Sequence, residues 1–329
     1  MLDRLLYAPF LAQLVVIRRC NLACGYCNEF DDRSPPVAYE TLLDRLDALE
    51  RLGTFSVELT GGEPLLHPRI FDLVAAARAR RFHRTMMITN GFLLNEERVR
   101  RLNEAGLQAM QLSVDGVKPN AVTTKTLAPL RPKLEVLARV ARFPVTLSAV
   151  IGAAPIDEVL EVVAFAKRVG FRPRVLVLHG GDGQMAAGEE TLAALDRVGR
   201  AIGRRFSESN DYRARLASEG SAPFKCRAGS RYVYVDEHGV VRWCSQQRGA
   251  FGVPLVRYDS DELARQFDTG KACSAQCTVG CARTNSAFDE WRGQALDLVP
   301  APALARRASS STSREGVEGP GDAPVLGRY

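Results

Sequence analysis

Two patterns of hydrophobic residues, one typical of strands and one typical of helices, alternate along residues 13–206. Short apolar runs rich in β-branched residues predict strands, and longer segments with apolar residues every three or four positions predict helices. The predicted strands are Gln13–Arg19, Phe55–Thr60, Thr85–Thr89, Ala109–Val114, Val145–Val150 and Arg174–Leu178. The predicted helices are Thr41–Leu52, Ile70–Phe82, Asn95–Gly106, Leu127–Arg142, Pro155–Val169 and Glu189–Phe206.

This strand–helix unit recurs about six times, which predicts a parallel sheet with right-handed crossovers. We therefore expect an α/β fold, a partial (β/α)6 barrel that falls short of the eight units of a closed barrel. In such folds the active residues lie where strands end and loops begin.

The pattern changes after about residue 210. Arg231–Val235 and Val240–Cys244 predict a β-hairpin with Gly239 in its turn. From about residue 300 the chain is rich in Ala, Ser, Pro, Gly and Arg and has no apolar period, which is typical of disorder. We predict a barrel over 1–210, a small cysteine-rich domain over 211–299, and a disordered tail over 300–329.

Composition narrows the class of protein. Hydrophobic residues make up 46% of the 329 residues, as in a globular protein. The net charge is +6, but the arginines are scattered, so a nucleic-acid partner is not favoured. No apolar run is long enough to span a bilayer, and no signal peptide is recognisable. We expect a cytoplasmic protein.

The eight cysteines fall into two groups. In a cytoplasmic protein such cysteines are more often metal ligands than disulfide partners. The sequence therefore predicts two separate metal sites, which involve Cys20, Cys24 and Cys27 near the start, then Cys226, Cys244, Cys273, Cys277 and Cys281.

The first group lies directly after a predicted strand. Three thiolates can hold three irons of a [4Fe–4S] cluster and leave the fourth iron open to another ligand. A zinc site would need a fourth Cys or His close by, and none follows before His67. Zinc and a chance grouping of buried cysteines remain the alternatives.

Four motifs carry a family resemblance. Residues 20–27 (CNLACGYC) resemble the CxxxCxxC signature of the radical S-adenosylmethionine (SAM) superfamily. Gly61-Gly62-Glu63-Pro64 resembles its GGEP motif, Thr89-Asn90-Gly91 its TNG motif, and Ser113-Val-Asp115-Gly116 its SxDG element. They occur in the family's order, each at the end of a predicted strand.

The resemblance implies a [4Fe–4S] cluster whose open iron binds SAM. Reductive cleavage of SAM, with electrons from a donor such as flavodoxin or ferredoxin, would give a 5′-deoxyadenosyl radical that abstracts hydrogen from an unactivated carbon. For the residues of the third and fourth motifs, ordinary turn chemistry is the alternative. The implied SAM-binding residues are Tyr26, Gly61, Gly62, Glu63, Pro64, Asn90, Ser113 and Asp115.

The second group begins with Cys226, Gly239 and Cys244, whose spacing resembles the start of a SPASM or twitch domain. The remaining cysteines depart from the family spacing. Five thiols can ligate one auxiliary [4Fe–4S] cluster and leave one spare, which spacing does not identify. A zinc site or structural cysteines are the alternatives. The spare thiol is either a bystander or a hydrogen-atom donor, as in radical epimerases of this superfamily.

The substrate leaves a weaker signal. His179, Asp182 and Gln184 follow the sixth strand and are candidate contacts for substrate or SAM. Residues 118–133 lack the HD…RG continuation of peptide-modifying relatives, and no separate peptide-recognition domain precedes the barrel. We expect a small biosynthetic intermediate (a sugar, aminocyclitol, nucleoside or lipid). The alternatives are a maturase of a ribosomally synthesised peptide and a non-catalytic Fe–S or zinc-binding protein.

Overall fold

A single open sheet organises the part of the chain that the structure, a computed structural model, describes. That part is residues 6–180, 183–185 and 188–290, without the side chains of 205 and 208. Its strands are β1 (Leu11–Ile17), β2 (Ser56–Gly61), β3 (Arg84–Thr89), β4 (Ala109–Ser113), β5 (Val145–Ile151), β6 (Arg172–Val177), β7 (Tyr232–Val235), β8 (Val240–Arg242) and β9 (Val253–Pro254).

The helices are α1 (Tyr39–Arg51), α2 (Ile70–Arg78), α3 (Glu96–Glu104), α4 (Leu127–Val140), α5 (Ile156–Arg168), α6 (Glu189–Ile202), α7 (Arg204–Ser209), α8 (Asp211–Glu219), α9 (Ser260–Asp268) and α10 (Gly280–Ala287). The strand order is β6-β5-β4-β3-β2-β1-β7-β8-β9, and β1 to β6 pair in parallel. The predicted α/β fold with six parallel strand–helix units and an unclosed barrel is therefore confirmed.

The two faces of the sheet differ in polarity, as β2 illustrates. Val57 and Leu59 belong to the large apolar core, whereas Glu58 and Thr60 line cavities on the opposite face. The concave face, which we call the lumen, is therefore polar although both faces are covered. Strands covered on both faces are usually apolar on both, so the polar side chains in the lumen indicate a binding site there.

The long helix predicted over Glu189–Phe206 is wrong in one respect. It is divided into α6 and α7 at Gly203, whose φ of 118° lies in a region that other residues rarely adopt. The apolar period continues across the break, which is why the hydrophobic pattern did not reveal it.

The carboxyl-terminal segment extends the same sheet. β7 pairs in parallel with β1, and β7 and β8 form the predicted hairpin, with Gly239 at φ 78° in its turn. The domain division at residue 210 stays a prediction, and the tail predicted over 300–329 lies outside the described residues. Within the described residues, no helix combines the length and apolarity needed to cross a membrane.

A buried ion pair ties this segment to the start of the chain. Arg231 donates from Nε and Nη2 to the two carboxylate oxygens of Asp289, at 2.7 and 3.1 Å, and from Nη1 to the carbonyl of Ala8 at 2.9 Å. Both charged side chains are almost fully buried. Removing one partner would leave the other charge buried, with neither a counter-charge nor solvent beside it.

We predict that Arg231→Met lowers the free energy of unfolding by about 3–5 kcal/mol, because it leaves the Asp289 carboxylate buried and unpaired. Urea unfolding of the metal-free chain measures the change. Arg257→Met, at an exposed position, is the matched control. A loss equal to that of the control would show that the pair does not hold these segments together.

Candidate active site at the carboxyl ends of the strands

The first cysteine group lies in a loop that backbone hydrogen bonds hold in place. The Cys20 amide donates to the carbonyl of Asp31 at 2.9 Å, and the Cys27 amide donates to that of Cys24 at 3.0 Å. The Gly25 amide reaches across to the carbonyl of Val122 at 2.9 Å. The three thiols are thus presented by a defined loop above the end of β1.

These thiols share one pocket with the ends of the next three strands. Cys20, Cys24 and Cys27 line a cavity of about 240 Å³. The same cavity is lined by five residues of the other motifs, namely Gly61, Gly62, Thr89, Asn90 and Ser113. Residues far apart in the chain therefore meet because parallel strands end at the same edge of the sheet.

The two glycines of the second motif allow a close approach between backbones. A side chain on Gly61 would overlap the carbonyl oxygen of Ile17, and one on Gly62 would overlap those of Arg18 and Arg19. The Gly62 amide stabilises this contact by donating to the carbonyl of Ile17 at 2.9 Å. The glycines are thus needed for packing against the cysteine loop, a role that the sequence did not reveal. Their contact with SAM stays a prediction.

Glu63 joins the second motif to the third. Its fully buried carboxylate accepts hydrogen bonds from the Leu65 amide (2.9 Å), the Thr89 hydroxyl (2.8 Å) and the Asn90 amide (2.7 Å). Burial raises the pKa of this carboxyl, and the hydrogen bonds partly offset that rise. Pro64 opens the short 3-10 turn that follows. Neither side chain lines the cysteine pocket, so their predicted contacts with SAM remain untested.

Asn90 connects the third motif to the cysteine loop. Its side-chain amide donates to Asn21 Oδ1 at 2.8 Å and lies 3.6 Å from the Cys20 sulfur. Burial raises the pKa of the Cys20 thiol, and the Asn90 hydrogen bond acts in the opposite direction. An amide donor beside a thiolate is a stabilising arrangement for a metal ligand.

A buried lysine, which the sequence reasoning missed, links the first and fourth motifs. Lys125 Nζ donates to the Tyr26 hydroxyl at 2.5 Å, and that hydroxyl donates to Asp115 Oδ2 at 2.7 Å. Burial lowers the pKa of Lys125, but Asp115 and Tyr26 raise it more, so the net shift is upward. Lys125 also lines the cysteine pocket, and Asp115 Oδ1 is buried without a partner. The loop after β4 contains two lysines, Lys118 and Lys125, and their sequence context does not distinguish the buried one.

The carboxyl-terminal segment completes the pocket. Tyr234 of β7 and Ser245 line it, and the Tyr234 hydroxyl donates to the carboxylate of Glu29. Asn28, next to the first cysteine group, donates to Gln246 Oε1 at 2.9 Å. The two cysteine-bearing segments are therefore in direct contact, which no sequence motif indicated.

Four of the five later cysteines form one group. Cys226, Cys244 and Cys277 share a small buried cluster. Burial raises the pKa of Cys244, and Cys277 and Cys226 raise it further; burial and Cys226 raise the pKa of Cys277 to about 12. Burial also raises the pKa of Cys273, and Cys226 adds to that rise. Mutual repulsion of this kind means that the thiols lie close together.

Cys281 packs against the same small buried cluster but has different charged neighbours. It follows Gly280 in helix α10, whereas Cys273 and Cys277 flank a short 3-10 turn, so the three do not share one helix face. Gln13 Nε2 lies 4.0 Å from the Cys281 sulfur. Burial raises the pKa of Cys281, with Arg174 and Glu58, rather than cysteines, as its main charged neighbours.

Among the described residues of the loop after β6, none lines the cysteine pocket. His179 Nδ1 donates a hydrogen bond to the carbonyl of its neighbour Gly180 at 2.9 Å, and Gln184 is exposed. Thr278, beside Cys277, donates to the carbonyl of Gly183 at 2.7 Å. The loop thus packs against the second cysteine group. Asp182 lies outside the described residues, and the substrate role of these residues stays a prediction.

We predict that Glu63→Gln lowers the free energy of unfolding by about 1–3 kcal/mol, because an amide group would face a backbone N–H that now has an acceptor. Urea unfolding of the metal-free chain provides the measurement, with the exposed Glu40→Gln as control. Equal stability of the two variants would argue against Glu63 as the link between the motifs.

Comparisons with known proteins agree with this geometry. Residues 14–195 match the profile of the Radical SAM superfamily. GTP 3′,8-cyclase of Parasynechococcus marenigrum is 34% identical over 171 residues, which is 49% of this chain and 44% of that protein. PqqA peptide cyclase of Xanthomonas campestris pv. campestris is 27% identical over 334 residues, with 88% of this chain and 84% of that protein covered.

Solved structures share the fold. The native anSMEcpe structure with bound AdoMet matches with a TM-score of 0.61 and 17% identity, over 79% of this chain and 81% of that one. Streptococcus suis SuiB bound to precursor peptide SuiA matches with a TM-score of 0.58 and 19% identity, over 83% and 72%. With its motifs gathered at one edge of the sheet and the profile covering most of the barrel, this chain belongs to the radical SAM superfamily.

Proposed function

We propose that the protein cleaves SAM reductively at a [4Fe–4S] cluster held by Cys20, Cys24 and Cys27, and uses the resulting radical to modify a ribosomally synthesised peptide. The observation that carries the first part is the shared pocket of these thiols with Gly62, Asn90 and Ser113. The family membership supports the same chemistry.

The donor set suits a cluster better than zinc. A structural zinc site needs four donors around a single metal, whereas each thiolate of a cluster holds a different iron. Three thiols around a cavity of about 240 Å³ therefore support a cluster with one iron open to SAM.

When bound, the cluster and SAM would supply a carbon radical able to abstract hydrogen. The protein's part is to orient SAM and the substrate and to exclude water. Lys125 supplies a buried positive charge in the pocket wall for the SAM carboxylate. Asn90 and Ser113 offer hydrogen bonds from the strand ends. Asp115 Oδ1, now without a partner, is an acceptor for a ligand hydroxyl or amine.

We further propose that Cys226, Cys244, Cys273 and Cys277 ligate one auxiliary [4Fe–4S] cluster, with Cys281 as the spare thiol. The pKa effects among these four thiols support the grouping. Two positively charged side chains lie near this group, since Lys271 and Arg283 both lower the pKa of Cys226. Such charges would offset the negative charge of a cluster with four thiolates.

The substrate proposal departs from the small molecule expected in the sequence analysis. The PqqA peptide cyclase match extends over 84% of that relative, whereas the GTP 3′,8-cyclase match spans less than half of its relative. A match across nearly the whole length includes the region that binds substrate, so it favours a peptide. An electron donor such as flavodoxin or ferredoxin and a cytoplasmic location, which suits eight unpaired cysteines, complete the proposal.

We predict about eight irons per chain after anaerobic reconstitution of the wild type, as two [4Fe–4S] clusters require. Cys277→Ser should lose about four irons, because one cluster no longer assembles, while Cys281→Ser should keep about eight. Iron and sulfide assays on the same samples measure this. Loss of iron in Cys281→Ser, or its retention in Cys277→Ser, would contradict the assignment of ligands.

We also predict that screening the short open reading frames around this gene yields a peptide that changes in mass when incubated with the reconstituted enzyme, SAM and dithionite. Mass spectrometry detects the change, and chromatography follows 5′-deoxyadenosine. Cys24→Ala should give neither product, because the SAM-binding cluster cannot assemble. An unchanged peptide, together with 5′-deoxyadenosine formation stimulated by a nucleotide or sugar, would restore the small-molecule alternative.

A further inference from the structure

A second cavity lies at the open edge of the barrel. It has a volume of about 310 Å³ and is bounded by β6, the helices α7 and α8, and the start of α10. Arg174 and Gly280 line both this cavity and a neighbouring lumen cavity of about 330 Å³. The two cavities therefore share part of their wall, and Glu58 and Gln111 line the lumen cavity.

Arg213 contributes an unusual charge to the edge cavity. Its residue is only 4% exposed, yet among the described residues no carboxylate or carbonyl oxygen lies within hydrogen-bonding distance of its guanidinium, and Nε is buried without a partner. The Cζ atom of Arg213 lies 4.8 Å from the centre of the Tyr212 ring. A buried guanidinium without a counter-charge is costly, so a protein retains one where an anion binds.

Three polar groups meet at the first residue of α10. The Nη2 atoms of Arg174 and Arg213 both lie 3.3 Å from the point that a Cβ on Gly280 would occupy, and the Tyr212 hydroxyl lies 3.6 Å from it. That hydroxyl is also buried without a partner. Because Gly280 has no side chain, the space between these groups stays open, and the first amides of a helix attract anions.

The charges around this point are mainly positive. The Cζ atom of Arg283 also lies over the Tyr212 ring, 4.4 Å from its centre, and Arg174 donates to the neutral Gln111 at 2.5 Å. The nearest lumen carboxylate, Glu58, accepts a hydrogen bond from Gln13 at 2.7 Å. The site therefore has an excess of cationic donors and a matching need for acceptors.

We propose that Arg174, Arg213 and Tyr212 form an oxyanion-binding site at Gly280, which receives a carboxylate or phosphate of the substrate. Guanidinium groups bind both kinds of oxyanion through paired hydrogen bonds. The identification of the ligand as substrate rests on the proposed function, but binding of the anion itself does not. A peptide would bring a carboxylate to this site, and a nucleotide or sugar phosphate would bring a phosphate.

The test uses the full chain, reconstituted anaerobically, with excess SAM to occupy the open iron. Acetate and inorganic phosphate are titrated separately by calorimetry, with chloride holding the ionic strength constant. Saturable binding of one anion is expected, and Arg213→Met should weaken it by about tenfold or more. Gly280→Ala should weaken it as well by filling the space, whereas Arg215→Met, on the exposed face of the same helix, should not.

Thermal unfolding of the same samples gives a second readout. Without anion, Arg213→Met should unfold at a higher temperature than the wild type, because an unpaired buried charge is removed. The stabilisation by the anion should disappear in that variant. A variant less stable than the wild type, or one that has lost iron, would overturn the proposal, because the guanidinium would then serve the fold or a cluster.

The arms of the experiment separate the possible failures. Preference for acetate supports a carboxylate source, and preference for phosphate supports a phosphorylated one. If neither anion binds while 5′-deoxyadenosine still forms in the absence of substrate, the oxyanion site is refuted and the proposed radical chemistry stands. If 5′-deoxyadenosine does not form but the anion binds, the proposed function fails and the binding site stands.

Discussion

The close contact between two backbones at the end of β1 and β2 underlies the rest of the site. Gly61 and Gly62 lie so near the carbonyls of residues 17–19 that no side chain fits between them. This contact sets the height of the cysteine loop above the strand ends. Glu63 then extends the same link to β3 through its bonds to Thr89 and Asn90. The motifs that the sequence predicts to bind ligands therefore also fix one another's positions.

Paired and unpaired charges distinguish structural from ligand-binding groups in this molecule. Arg231 and Asp289 neutralise each other and join the two ends of the described chain. Lys125 is balanced in part by Asp115 at 3.6 Å and faces the pocket. Arg213 has no such balance and lies at a cavity. The unbalanced charges are found where a ligand would complete the electrostatics, because burial makes an isolated charge costly.

The pairing of β7 with β1 brings the two cysteine groups to one wall of the lumen. Through it, Tyr234 and Ser245 enter the pocket of the first group, and Asn28 contacts Gln246. Gln13, which lines that pocket, donates to Glu58, which lines the lumen cavity of about 330 Å³.

The amino-acid sequence alone determined the order of the elements and the six parallel units, because these depend on the local hydrophobic period. It also grouped Cys20, Cys24 and Cys27 by their spacing within one loop. It located Asn95 as a helix start, which the structure confirms through its bond to the Arg98 amide. It did not reveal the break at Gly203, since the apolar pattern continues across it. Only the tertiary structure showed Arg174 and Glu58 as the charged neighbours of Cys281, and only it revealed Lys125 and Arg213. Their significance lies in burial and in neighbours distant along the chain, and neither property leaves a periodic trace in the sequence.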